Sequence, residues 1–167
     1  PDGFRLVNQP EQVIAVHNSG SVIVFDAAPN VNNLDPYTYL TQDWMKGESL
    51  QQAESIKING QPAATASFPG SVNGQPMTIR IVAVQWTPKL IYRFQMAIPS
   101  GSSAAMVEEL KRTTYSLRPM TSSEKTQVKP YRIDLFTAGS SDTVASVARR
   151  MPFTTLQEQR FRVLNNM

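Results

Sequence analysis

His17 is the sole histidine of the 167-residue sequence, and there is no cysteine. Thiol catalysis, disulfides, Cys-bound zinc and iron–sulfur clusters are therefore excluded. One imidazole cannot furnish a paired-histidine zinc site. Its place beside Asn18-Ser19-Gly20 reads as an exposed turn and argues against a Ser-His-Asp triad. Glu108 and Glu109 are adjacent, and successive helical residues point about 100° apart, so they read as a solvated face and not as a catalytic pair. Trp44, Trp86, Tyr92 and Phe94 could line a pocket, but spacing makes Tyr92 and Phe94 core residues first. No catalytic, cofactor-binding or metal-ligating residue is expected in this chain.

Charge is uneven along the sequence. Residues 1–128 carry ten Lys/Arg and ten Asp/Glu. Residues 129–167 carry Lys129, Arg132, Arg149, Arg150, Arg160 and Arg162 against Asp134, Asp142 and Glu158, which accounts for the net +3. A tail of this kind can adhere to an anionic partner, although a solvated basic helix face is the simpler reading. Nucleic-acid binding is not expected, since it needs a denser cluster with stacking aromatic rings. No apolar run approaches the length of a membrane span, about 18 residues. The sequence opens at Pro1-Asp2-Gly3 with no initiator Met or apolar leader, so the piece is expected to be soluble with any targeting signal upstream.

The elements that must position these side chains are mostly strands. Val13-Ile14-Ala15-Val16 and Val22-Ile23-Val24-Phe25 flank the His17–Gly20 turn as a hairpin. Asp35-Pro36 opens a helix through about Met45, with Asp as N-cap and Pro at the first helical position. Tyr37, Leu40 and Trp44 would form its apolar stripe, and Gly47 its end. Ser55 to Ile58 turns at Asn59-Gly60 into Pro62 to Phe68. A second Asn-Gly, Asn73-Gly74, precedes Met77 to Trp86, either as a tight type I′ turn or within a longer loop. Leu90 to Ile98 then alternates apolar and mixed residues, as in an antiparallel sheet covered on at least one side. Ser102 or Ser103 caps a helix over 103–115, with Met106, Leu110, Thr113 and Leu117 inward. The expectation for residues 1–119 is an α+β domain with an antiparallel sheet of about six strands and two helices.

Residues 120–130 have linker composition, polar and bracketed by Pro119 and Pro130. Beyond them Tyr131 to Phe136 alternates like a strand, Ala138 to Ser141 is a turn, and Ser141 or Asp142 can cap a helix. That helix would present Val144, Val147, Ala148 and Met151 on one face. Pro152 stops it, and Thr155-Leu156-Gln157-Glu158 reads as a capping box for a last helix with Phe161 and Leu164 toward its core.

The strand–helix–helix order of 131–167 resembles a LysM unit. Ser141-Asp142-Thr143-Val144-Ala145-Ser146-Val147-Ala148 is similar to its Gly-Asp-Thr stretch, with Ser141 in place of the Gly, and Leu164-Asn165 to its Leu-Asn. The closing strand of that pattern would lie beyond Met167. The resemblance implies glycan contact, with peptidoglycan as ligand, at two turns: Gly139, Ser140, Ser141, Asp142 and Thr143, and Asn165 and Asn166. The alternative is that Asp142 and Thr143 only cap the helix.

Further stretches occur in order along the chain: Pro1-Asp2-Gly3-Phe4-Arg5-Leu6-Val7-Asn8, Ile58-Asn59-Gly60-Gln61-Pro62-Ala63-Ala64-Thr65-Ala66, Ile91-Tyr92-Arg93-Phe94, Glu109 to Ser116 and Asp142 to Met151. Together they resemble the C-terminal region of bacterial zinc-dependent proteases of the HExxH class. That resemblance implies a hydrolase parent in the periplasm or cell envelope, with zinc in the parent's catalytic domain. It implies as partners the protease domain itself, and peptidoglycan or another envelope protein. It implies nothing catalytic here, because this sequence contains no HExxH.

Overall fold

The computed structural model describes residues 2–128 and 132–167. The chain divides into two compact units, Pro1–Pro119 and Met120–Met167.

The first unit is α+β. Its seven strands are β1 (Phe4–Asn8), β2 (Gln12–His17), β3 (Val22–Pro29), β4 (Gln51–Ile58), β5 (Gln61–Val72), β6 (Gln75–Thr87) and β7 (Leu90–Pro99). They form one antiparallel sheet in the order β1-β2-β3-β7-β6-β5-β4. The sequence pattern marks about six of these. The additional strand is β1, a short edge element whose Leu6 is 68% exposed, so it lacks the buried alternation that signals a strand. Both Asn-Gly pairs make tight turns, since Ile58 pairs with Gln61 and Val72 with Gln75. Their φ angles are positive at both central residues: 48° and 84° at Asn59-Gly60, 50° and 78° at Asn73-Gly74. That is what a type I′ hairpin requires.

Both faces of the central sheet are covered. Ile81, Val82, Ala83 and Val84 of β6 are all fully buried, and successive strand residues point to opposite faces. On one face Val82, Val84, Phe94 and Met96 pack with Leu110 of α2 (Ala104–Tyr115). Ser103 caps α2, accepting from the Met106 backbone N–H at 3.2 Å. Thr114 of α2 is fully buried, and Thr113 lies beside it half-buried. On the other face Ala64, Ile81, Ala83 and Ile91 pack with Tyr39 and Leu40.

Those two residues belong to a helix with a change of pitch. α1 (Pro36–Thr38) starts on the Asp35 cap and continues as a π-helical stretch, Tyr39–Trp44. The widened turn rotates the following side chains away from α-helical register. Tyr39 therefore turns inward, 3% exposed, whereas Tyr37 of the expected stripe is 38% exposed.

The second unit contains α3 (Ser122–Gln127), α4 (Val144–Ala148) and α5 (Gln157–Leu164). α3 falls in the segment read as linker, where Thr121 and Glu124 form a reciprocal capping box. The strand expected over Tyr131–Phe136 is absent across Arg132–Phe136, and Tyr131 lies outside the described residues. Ile133 and Leu135 are 83% and 91% exposed. Alternation supplies an apolar edge, but a strand also needs a hydrogen-bonding neighbour, and this segment pairs with none among the described residues.

Thr143, and not Ser141 or Asp142, is the N-cap of α4, in a reciprocal pair with Ser146. The box expected at Thr155–Glu158 does not form. Leu156 stands at the N-cap of α5 with φ 55°, and Glu158 is paired with Arg162 at 2.9 Å instead. Among the described residues, Val147 and Ala148 are the buried apolar residues of this unit; Phe161 is half-buried and Leu164 exposed. A helix of eight residues over so small a core cannot bury a full apolar stripe.

Candidate functional site

The turn singled out by its glycan-site resemblance is engaged within itself. The Gly139 backbone N–H donates to Asp142 Oδ2 at 2.9 Å, and Arg150 donates to Asp142 Oδ1 at 3.1 Å. Thr143 Oγ1 accepts from the Ser146 N–H at 3.1 Å as the helix cap. Ser140 and Ser141 are exposed. At the far end of the unit, Asn165 donates through its side-chain amide to Phe161 O at 2.9 Å, and Asn166 has φ 55°. Among the described residues no hydrogen bond joins the 139–143 turn to Asn165 or Asn166.

The basic side chains of the tail are largely committed as well. Arg150 also lies 5.1 Å from the Phe136 ring, Arg160 lies 4.3 Å from that of Phe153, and Arg162 is held by Glu158.

His17 is half-buried and not the exposed turn residue its neighbours suggested. Its ring stacks on Phe4 at 4.9 Å, and Nδ1 accepts the Ser19 N–H at 3.0 Å. Gly3 passes so close that a Cβ there would meet Nε2 at 2.8 Å. Among the described residues no cluster of three or more His, Asp or Glu side chains could hold a metal. No described helix is long and apolar enough to cross a membrane.

The aromatic residues divide between the two faces of the sheet. On the α1 face Arg93 forms a bidentate pair with Asp26, at 2.8 and 2.6 Å, directly across the β3–β7 ladder. The Trp44 ring lies 5.0 Å from the guanidinium. Burial raises the pKa of the adjacent Tyr39 phenol, with the Arg93 charge opposing the shift. Asp26 and Arg93 are mutually satisfied, so this group is a latch holding the π-helical stretch to the sheet.

The α2 face carries an open feature. Phe25 and Phe94 sit opposite one another on β3 and β7, ring centroids 4.7 Å apart. They floor a cleft of about 280 Å³ whose wall is Thr113, Ser116, Leu117 and Arg118, at the end of α2. Two more rings continue the row from Phe25: Tyr92 at 5.4 Å, then Trp86 at 5.1 Å from Tyr92. The register shift between Gln85 and Thr87 lies at the Trp86 end of this row. Of Trp44, Trp86, Tyr92 and Phe94, which sequence patterning offered as pocket candidates with Tyr92 and Phe94 core first, Phe94 lines this cleft. The patterning missed Phe25, because it lies in an unbroken apolar run that gives no facing. It also missed the wall, because what opens the cleft is where α2 stops.

The polar groups of the wall are already paired. Thr113 Oγ1 donates to Glu109 O at 3.1 Å and Ser116 Oγ to Thr113 O at 2.7 Å. The Asn59 side-chain amide donates to both Tyr115 O and Leu117 O at 2.8 Å, which pins the last turn of α2 to the β4–β5 hairpin. The cleft is thus floored by two rings and walled by paired hydroxyls, Leu117 and Arg118.

Comparison with known proteins does not assign the chain. No family model matches it, and no curated protein does. Solved structures share parts of its arrangement at low identity. A Bacteroides thetaiotaomicron protein aligns with TM-score 0.47 at 15% identity over 65% of this chain, which spans 40% of that protein's length. A Pseudomonas aeruginosa protein of unknown function aligns with TM-score 0.49 at 12% identity, over 71% of this chain and 99% of that one. The cyanobacterial PsbP of Synechocystis aligns with TM-score 0.47 at 14% identity, over 70% and 81%. Likeness at this level carries no assignment of activity, ligand or partner.

Proposed function

We propose that this chain is a non-catalytic contact region of a larger bacterial envelope protein whose catalytic part is a zinc-dependent peptidase. In this reading the α+β unit positions a substrate or partner for that catalytic part. The parent carries the zinc, since a chain with one His and no Cys cannot supply an HExxH site. The observation that supports the reading is the open cleft on the α2 face, floored by Phe25 and Phe94 and walled by Thr113, Ser116, Leu117 and Arg118. The ordered sequence stretches that resemble the C-terminal region of such proteases support the choice of parent. The LysM-like character of 131–167 belongs to the same proposal, resting on the α4–α5 order and the Asp142-Thr143 turn.

The full-length parent tests this. Purified without chelator it should hold one zinc and hydrolyse an unfolded protein substrate. Leu117→Asp in the cleft wall should raise KM for that substrate several-fold and leave kcat for a short peptide unchanged. A parent without zinc, or a KM indifferent to the substitution, overturns the reading.

A further inference from the structure

α5 turns most of its apolar side chains outward. Phe161 is half-buried, whereas Val163 is 82% exposed and Leu164 57%. Leu156 at the N-cap and Met167 just past the C-terminal turn are 60% and 68% exposed. Leu156 and Val163 stand about two turns apart, so they fall on one side of the helix, with Arg160 between them. In a helix that packs only on its own core, such a stripe faces inward. Here it faces solvent.

The stripe is set among basic side chains. Arg160 stacks on the Phe153 ring, and among the described residues neither it nor Arg149 has an ion pair. Arg149 comes close to the start of α5, where the Gln157 amide donates to Arg149 O at 3.5 Å and to Met151 O at 3.2 Å. Both arginines are exposed and keep their charge in water.

This pairing of stripe and charge selects an occupant. A second copy laid face to face on the stripe would bring arginine against arginine, and like charges in a contact oppose it. A specific protein interface takes about 800 Å² from each partner, more than a few side chains on an eight-residue helix supply. A bilayer surface asks for neither shape nor area. Apolar side chains sink to the acyl boundary, while arginine stems lie along it and leave their guanidinium groups among the headgroups. Anionic headgroups answer the positive charge. A helix of eight residues lies on such a surface and does not cross it.

We propose that the outer face of α5 docks on an anionic lipid surface, with Leu156, Val163, Leu164 and Met167 at the headgroup–acyl boundary and Arg149 and Arg160 among the headgroups. This stands apart from the α2-face cleft, and neither reading falls with the other.

Vesicle sedimentation with the whole chain tests it. Phosphatidylcholine vesicles containing phosphatidylglycerol, at millimolar lipid, should carry the protein down, and vesicles of phosphatidylcholine alone should retain roughly fivefold less or lower still. Arg160→Gln removes one charge and should weaken partitioning roughly fivefold. Leu156→Ser combined with Leu164→Ser removes exposed apolar surface without changing the charge, and should weaken it by roughly tenfold or more. An unmoved Val147 methyl signal in nuclear magnetic resonance shows that the unit still folds in both variants. No retention on the anionic vesicles, equal retention on the neutral ones, or a double variant retained as well as the unsubstituted chain overturns the proposal. A dimer that grows with protein concentration and is lost in the double variant overturns it too, in favour of a second copy on the stripe.

Discussion

The Asp35 carboxylate accepts from the backbone N–H groups of Tyr37 and Thr38 at 3.0 and 3.1 Å and from Thr38 Oγ1 at 2.6 Å. The Thr38 side-chain bond, followed by the backbone bonds, lowers the Asp35 pKa. A depressed folded pKa means stability that is present above the unfolded value, about 3.9, and lost as pH falls through the folded one. Asp35→Ala should therefore cost about 0.5–2 kcal/mol near neutrality. In urea melts from pH 7 to pH 2.5 the gap to the parent chain should shrink at the acid end; a constant gap contradicts the capping role. Asn30 is a buried counterpart, fully enclosed, with its amide donating to Leu34 O and Pro88 O and its oxygen accepting from Leu34 N. Asn30→Ala orphans those backbone groups, and a loss of roughly 2–4 kcal/mol is expected from the shift in urea midpoint. In the tail, Asp142 and Thr143 already serve Gly139, Arg150 and Ser146. A glycan would have to displace those bonds. In sedimentation with purified peptidoglycan, any retention should be lost at moderate salt, as for loose adhesion of cations. Retention that survives salt and is competed by chitin oligomers would make the 139–143 turn a binding site.

At the scale of elements, what the sequence made legible followed from short-range chemistry. Asn59-Gly60 demands two positive φ angles, so that turn and its flanking strands could be placed from two letters, whereas Asn73-Gly74 fitted a tight turn or a longer loop until the Val72–Gln75 pairing fixed it. Asp35-Pro36 and the Ser102-Ser103 pair marked helix starts for the same kind of reason, with Ser103 the one that caps. What failed depended on distant partners. Arg132–Phe136 alternates as well as β7 does at its start, yet β7 lies between β3 and β6 whereas 132–136 has no neighbour to pair with among the described residues. The π-helical widening after Thr38 accompanies the burial of Tyr39 and Leu40 on the α1 face, which no local pattern reports. Of the candidate site, Phe94 could be named but neither Phe25 nor the cleft, because its wall is the place where α2 ends against Asn59. Two substitutions separate pattern from packing. Leu135→Ser, at a position 91% exposed, should change stability by no more than about 0.5 kcal/mol. Ile81→Ala, at a fully buried position of β6, should cost about 2–5 kcal/mol. Comparable urea midpoints for the two variants would mean that 132–136 is packed as a strand after all.

At the scale of the whole molecule, the two units differ in how much they bury for their length. Residues 1–119 enclose a sheet covered on both faces, with Ile58, Ile81, Ile91, Met96 and Leu110 fully buried among many others. Residues 120–167 bury Val147 and Ala148 and leave Ile133, Leu135, Leu156, Val163 and Met167 more than half exposed. Units of about 40–60 residues are marginal even when their apolar surface is well enclosed, since little of their surface can be buried. Here α4 has five residues and α5 eight, below the length at which helices persist on backbone bonds alone. What holds α4 is chiefly its Thr143–Ser146 cap and the Val147–Ala148 contact, against an ordering cost of about 1–2 kcal/mol per residue. Opening of this unit should therefore take much less free energy than opening of the sheet. Hydrogen exchange on the whole chain at neutral pH should show the α4 and α5 amides exchanging through local opening, at least a hundredfold faster than those of Ile81 to Val84. In mild urea the α4 and α5 signals should vanish before β6 responds, because sub-global openings follow the least buried segment first. Equal protection across α4 and β6 would refute that gradient: the exposed Val163, Leu164 and Met167 would then have to be covered in solution by a second copy, and protection of α5 would rise with protein concentration.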